Sequence, residues 1–256
     1  MGHEMIRRNL DIVNERIAAA LARSGRRGES VTLVAVTKTV PAEAIAAAWN
    51  LGVRHFGENR VEDAEPKIAD VNRRIDDRPA WHMIGHIQSR KARDVVRLFD
   101  FIHSADSVKL VGELETRAAA VGREIPCLLE INTSGEANKY GIAGGQGPDG
   151  PDESAGVLAV AQALAAAPHL RAEGLMTMAP FGAPPADVRR CFRALRRWRE
   201  FLQQRLPDSR WHHLSMGMSD DYEIAVEEGA TIVRIGRGIF QGMEETTESQ
   251  SAQRNQ

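Results

Sequence analysis

Eight short apolar runs, separated by seven stretches of helical periodicity, constrain this 256-residue chain more than any other feature. The runs cover 31–37, 53–56, 81–84, 101–103, 125–132, 170–178, 211–214 and 231–235. The β-branched and apolar residues in them, bounded by turn formers, predict buried strands. Helices are expected between them over 41–51, 61–75, 89–98, 107–121, 153–166, 186–206 and 219–228. Pro41 suits a first helical turn and Gly52 a helix end. An extra amphipathic helix over 6–22 precedes the first strand, because Ile6, Leu10, Val13, Ile17 and Leu21 recur every three or four residues. Strand–helix alternation implies a parallel sheet with right-handed crossovers. Eight such units predict the α/β class and a single (β/α)8 TIM barrel. An open doubly wound sheet is the alternative, although it usually has fewer strands.

This count assigns residues 1–243 to one barrel domain and leaves 244–256, almost without apolar residues, as a disordered polar tail. The run 144–152, rich in Gly, Pro and Asp, is expected to be a long exposed loop. With 33 Lys and Arg against 35 Asp and Glu, the chain is not a general polyanion binder, so no nucleic-acid partner is expected. No apolar run approaches the ~18 residues of a membrane span. The first residues lead into no apolar signal region, so no membrane or secreted form is expected. Two cysteines, Cys127 and Cys191, suit a reducing, cytoplasmic setting and cannot build a metal cluster. Without an evident large exposed apolar patch, the barrel is expected to be a monomer.

In such a barrel, chemistry sits at the C-terminal ends of the strands. Lys38 directly follows the first strand. A lysine withdrawn from water there favours the neutral amine that forms a Schiff base, whereas the bland reading is a lysine on a solvated loop. Ser215 to Ser219 and Gly236 to Gly238 follow the seventh and eighth strands, where this fold often binds phosphate. A mouth lysine facing a phosphate site suggests a phosphorylated aldehyde, either a sugar phosphate or pyridoxal 5'-phosphate (PLP). His82 and His86 do not share a helical metal-binding face. One of His212 and His213 is expected to face the core, because neighbouring strand residues point to opposite sides. The arginines between Arg189 and Arg205 read most simply as the solvated face of a helix whose apolar stripe packs on the barrel.

The ordered motifs Val34-Ala-Val-Thr-Lys38, Phe56-Gly-Glu-Asn-Arg60, Trp81 to Lys91, Asn138-Lys-Tyr-Gly-Ile142, Gly174-Leu-Met-Thr-Met178, Leu214-Ser-Met-Gly-Met-Ser-Asp-Asp221 and Val233-Arg-Ile-Gly-Arg237 closely resemble the pyridoxal phosphate homeostasis family. That family resembles the barrel of alanine racemase. The resemblance spans about Ile6 to Gly242. It implies PLP carried as a covalent aldimine on Lys38, with Asn59 near the ring, and Ser215 and the backbone of Gly236 and Arg237 on the phosphate. It also implies Arg234 facing the pyridine nitrogen, and Lys139 as a nearby second lysine. His86 stands where proline is expected in many members, and the 144–152 loop looks longer than usual.

The same resemblance implies a role in vitamin B6 homeostasis without robust catalysis: buffering PLP or delivering it to apo PLP-dependent enzymes. An arginine at the pyridine nitrogen disfavours its protonation and so weakens the ring as an electron sink. Racemisation needs proton donors on both faces of the substrate. The second base of alanine racemase comes from an additional domain, whereas only about twenty polar residues follow the eighth strand here. The two tyrosines, Tyr140 and Tyr222, are not obvious bases. A PLP-dependent racemase or lyase of amino acids, and a Schiff-base aldolase working without PLP, are the alternatives.

Overall fold

The structure, a computed structural model, describes residues 2–145, 147–149 and 151–242. The tail expected from Glu244 lies outside them. Nine strands are present among the described residues: β1 (Thr32–Val36), β2 (His55–Glu58), β3 (Ala80–Met83), β4 (Phe101–Ala105), β5 (Ile125–Asn132), β6 (Ile142–Ala143), β7 (Leu170–Met176), β8 (His213–Ser215) and β9 (Ile232–Ile235). Eight of them close a parallel ring in the order β1-β2-β3-β4-β5-β7-β8-β9, with β9 pairing back to β1. The molecule is therefore a (β/α)8 barrel, and the open-sheet alternative is excluded by the β4–β5 and β1–β9 pairings.

Helices α1 (Gly2–Arg23), α2 (Ala42–Asn50), α3 (Val61–Asn72), α4 (Ala92–Leu98), α5 (Val108–Val121), α6 (Pro151–Ala165), α7 (Pro185–Arg205), α8 (Tyr222–Glu227) and α9 (Arg237–Phe240) surround the ring. Their ends follow local chemistry. The Ser107 hydroxyl accepts from the Leu110 amide at 3.3 Å at the start of α5, and Gly122 ends that helix in the left-handed region. The extra helix α1 buries Ile6, Leu10, Val13 and Ile17 and packs on α2, α8 and α9. Asn9 donates to the Ile239 carbonyl at 2.9 Å, which ties α1 to the end of the barrel sequence.

The main core lies between the ring and the helices, where Trp81, Phe99, Phe192, Trp198 and Trp211 are buried. A small apolar cluster of Val34, Leu128, Met176 and Ile232 fills part of the barrel interior. Much of the remaining interior is polar: Glu58, His82, His103, Glu130, Ser215 and Arg234 are all buried on barrel strands.

Two expectations are corrected. The 144–152 run is not simply an exposed loop. Gly144 and Gly147 are buried, Trp198 donates to the Gly144 carbonyl at 2.9 Å, and α6 already begins at Pro151. The arginine face of α7 is not simply solvated either. Arg189, Arg193 and Arg196 converge on Glu228, at 2.7, 3.0 and 3.5 Å, and Arg189 also reaches Glu227 at 2.7 Å. Those pairs fasten α7 to the C-terminal end of α8.

Candidate functional site at the barrel mouth

The ends of β1, β2 and β9 are neighbours because β1 pairs with both other strands. Lys38 stands in the turn after β1 and is exposed, so the desolvated setting expected of it is not what the structure holds. Its neighbour Thr37 is pinned instead. The Thr37 amide donates to the Gly57 carbonyl at 3.0 Å and its hydroxyl to Glu58 Oε1 at 2.6 Å. Lys67 of α3 donates to the Thr37 carbonyl at 2.5 Å and pairs with Glu58 Oε1 at 2.8 Å. This buried Thr37–Glu58–Lys67 cluster fixes the turn from which Lys38 projects. It also engages Lys67, leaving Lys38 as the lysine presented at this strand end. Lys67 is nine positions beyond Glu58 with no motif linking them, and only the fold brings them together.

Gly236 follows β9, and a Cβ there would lie 3.2 Å from the Val36 carbonyl oxygen, so β9 and β1 approach closely at the mouth. The first turn of α9 begins at Arg237, and the Gly238 amide donates to Ser219 Oγ at 3.2 Å. Ser219 therefore meets the α9 turn. Ser215 does not. Its buried hydroxyl lies 2.6 Å from Arg234 Nη1 and 2.9 Å from His103 Nδ1. Between Ser215 and Ser219 the hydroxyl thus switches from the barrel interior to the α9 turn. The two are four residues apart, and β8 ends at Ser215, which turns its side chain inward. Gly217 makes this switch possible: its φ is +94°, and a Cβ would fall 2.5 Å from that of Ala225. The Arg237 side chain is exposed and pairs with Asp220 at 2.5 Å, so only its backbone belongs to the α9 turn.

Arg234 is buried inside the barrel, where it donates to Ser215 Oγ and, at 2.8 Å, to the Thr177 carbonyl. Burial lowers its pKa to about 10, against the pull of Asp221 and Glu130, and it remains a cation at neutral pH. The Ser215 contact continues through the rings: His103 Nε2 lies 2.9 Å from His82 Nδ1, and His82 Nε2 lies 3.0 Å from His55 Nδ1. Burial pushes His82 down to about 3 and His103 well below the ordinary range, so both are neutral. The inward member of the His212/His213 pair is His213, which packs edge-on against Phe101, whereas His212 is exposed.

A cavity of about 590 Å3 opens beside this region, lined by Asn59, Met83, Gly85, His86, Glu130, Tyr140 and Met178 among others. Of the residues selected from sequence, Asn59 lines it, and Gly85 must be glycine because a Cβ would sit 2.2 Å from the Asn59 carbonyl oxygen. His86 stacks on Tyr140 at 3.9 Å and lies 3.2 Å from Asp106. Glu130 is buried, and among the described residues its Oε2 has no hydrogen-bond partner. Burial, helped by Asp106 and opposed by Arg234, raises its pKa to about 7. Lys139 donates to the Ala179 carbonyl at 3.0 Å and pairs with Glu136. Among the described residues no three potential ligands converge as a metal site, and no helix is long and apolar enough to cross a membrane.

The sequence profile of the alanine racemase N-terminal domain family matches residues 9–243. The pyridoxal phosphate homeostasis protein of Aquifex aeolicus is 38% identical over 235 residues, covering 90% of this chain and 95% of that protein. That of Escherichia coli K12 is 38% identical over 238 residues, covering 92% and 95%. The structure of PipY from Synechococcus elongatus PCC7942 with PLP bound is 37% identical with a TM-score of 0.74, covering 88% of this chain and 99% of that one. Alanine racemase from Clostridium difficile 630 shares the fold with a TM-score of 0.68 at 11% identity, covering 92% of this chain and 59% of that one. The chain belongs to the alanine racemase N-terminal domain family and, within it, to the pyridoxal phosphate homeostasis proteins.

Proposed function

We propose that this protein binds PLP at the barrel mouth, holds it as a Schiff base on Lys38, and buffers or delivers it within vitamin B6 homeostasis without robust turnover of its own. The observation that carries this reading is Arg234. It is a buried cation whose protein partners are a hydroxyl and a carbonyl, below a mouth whose β1 end bears Lys38. A guanidinium has five N–H donors, and these two acceptors leave capacity for a ligand acceptor such as a pyridine nitrogen. Ser219 and the α9 turn, set against the β1 end by the Gly236 approach, suit the phosphate. Asn59 suits the ring, because it stands at the end of β2 and lines the cavity. PLP, when bound, supplies an electrophilic aldehyde carbon. The Lys38 amine is the nucleophile for it, and Arg234 keeps the ring nitrogen an acceptor.

The non-catalytic part of the reading rests on the same arginine, which disfavours a protonated ring. We further read the protein as cytoplasmic, working as a monomer, with apo PLP-dependent enzymes as recipients. The test is an absorption spectrum of purified protein with PLP, combined with turnover assays on D- and L-amino acids. A visible Schiff-base band that disappears in Lys38→Ala, with negligible turnover, supports the reading. A band that persists in Lys38→Ala overturns the lysine assignment. Lys38-dependent turnover at rates of ordinary enzymes overturns the carrier role in favour of a racemase or lyase.

A further inference from the structure

The hydrogen-bonded rings inside the barrel have a direction. Arg234 can only donate, so Ser215 Oγ accepts from it. Of the two partners of that buried oxygen, only His103 Nδ1 can take the hydroxyl proton. His103 then carries its proton on Nε2 and donates it to His82 Nδ1. His82 likewise donates from Nε2 to His55 Nδ1, and the His55 proton sits on Nε2. One choice at Ser215 therefore fixes three tautomers. The chain crosses the barrel from His55, at the start of β2, to Ser215, at the end of β8. Phe101 stacks on His82 at 5.1 Å with an interplanar angle of 10°, which holds the middle ring. The other titratable groups acting on these rings are His213 from β8 and Arg234 from β9.

Every dipole in this chain points its negative end towards Arg234. The carboxylates Asp221 and Glu130 act on that guanidinium only at longer range. A directly paired carboxylate would cancel the charge that Arg234 offers a ligand, whereas neutral dipoles stabilise the cation and leave its net charge intact. We propose that His55, His82 and His103, acting through Ser215, are positioning residues for Arg234: a one-directional chain of neutral rings that fixes the guanidinium and compensates its burial without neutralising it. This inference rests on the reading of the mouth as a PLP site.

The first measurement needs no ligand. In the full chain labelled with ¹⁵N-histidine, long-range proton–nitrogen spectra between pH 5 and 8 should show His82 and His103 as neutral rings protonated on Nε2 throughout. Ser215→Ala should release His103 into a tautomer mixture. A proton on Nδ1 of either ring, or a titration midpoint near the ordinary histidine value, overturns the chain. The second measurement compares His55→Leu with His55→Asn, whose side-chain oxygen can accept where Nδ1 did. His55 is half-buried, so both variants should fold. The Leu variant should weaken PLP binding by roughly fivefold, the worth of one ordinary hydrogen bond, and shift the absorption maximum of the bound group, while the Asn variant stays near wild type. Equal behaviour of the two overturns the positioning role. Failure of the underlying site reading would appear instead as a covalent load that survives Lys38→Ala, whatever the ring spectra show.

Discussion

At the scale of single residues, the two serines of the Leu214 to Asp221 motif separate cleanly. Ser215 is committed to the barrel interior and Ser219 to the turn of α9. Replacing Ser219 with Ala should weaken binding of PLP, but not of dephosphorylated pyridoxal, by roughly 10- to 100-fold, the range for a hydrogen bond to a charged group. Ser215→Ala should affect both ligands alike, and isothermal titration with the two compounds distinguishes these outcomes. Glu130 supports a second prediction. Its folded pKa of about 7 lies above the carboxylate value of the unfolded chain, so the folded state binds more protons between about 4.5 and 7. Stability associated with Glu130 is present at low pH and is lost as pH rises through that window. Glu130→Gln should therefore gain stability relative to wild type at pH 8, by on the order of 1–3 kcal/mol, and little at pH 4. Urea midpoints at the two pH values check this, and equal differences at both would contradict it.

At the scale of elements, β8 is three residues long and α8 six, yet both sit in the site region. The α7 arginines hold this region. Burial pushes the Glu228 carboxyl up, but the hydrogen bonds from Arg189 and Arg193 outweigh burial and leave it below its ordinary value. Glu228→Gln should cost about 1–3 kcal/mol, less than a fully buried pair, because the arginines are partly exposed and can turn to water. The loss should vanish as pH falls through the carboxylate range, where Glu228 is itself protonated. Thermal unfolding from pH 7 to pH 3 measures it. The same elements show what can be read from sequence. The periodicity of α1, α5 and α7 and the apolar run of β5 place them within a few residues, because one-dimensional patterns encode them. The two-residue β6 and four-residue α9 leave no periodic signal. The arginines of α7 look solvated in sequence because their partner, Glu228, is over thirty residues away on another element.

At the scale of the whole molecule, barrel closure decides which distant residues meet. Lys38 and Gly236 are legible as strand-end residues, and closure between β1 and β9 brings the strand ends that carry them side by side. The Thr37–Glu58–Lys67 cluster and the histidine chain are illegible beforehand, since each joins residues from three or more elements through side-chain geometry alone. A polar barrel interior also carries a cost that the fold accepts: Glu58 Oε2 and Glu130 Oε2, buried near the mouth, have no hydrogen-bond partner among the described residues. The central claim is that Lys38 is the lysine that holds PLP. It is tested most directly by incubating the full chain with PLP, reducing with borohydride and locating the pyridoxyl group by peptide mass spectrometry. The account predicts one modified site, Lys38, with the modification absent from Lys38→Ala. A pyridoxyl group on Lys67 or Lys139 in place of Lys38, or an undiminished load in Lys38→Ala, would contradict it.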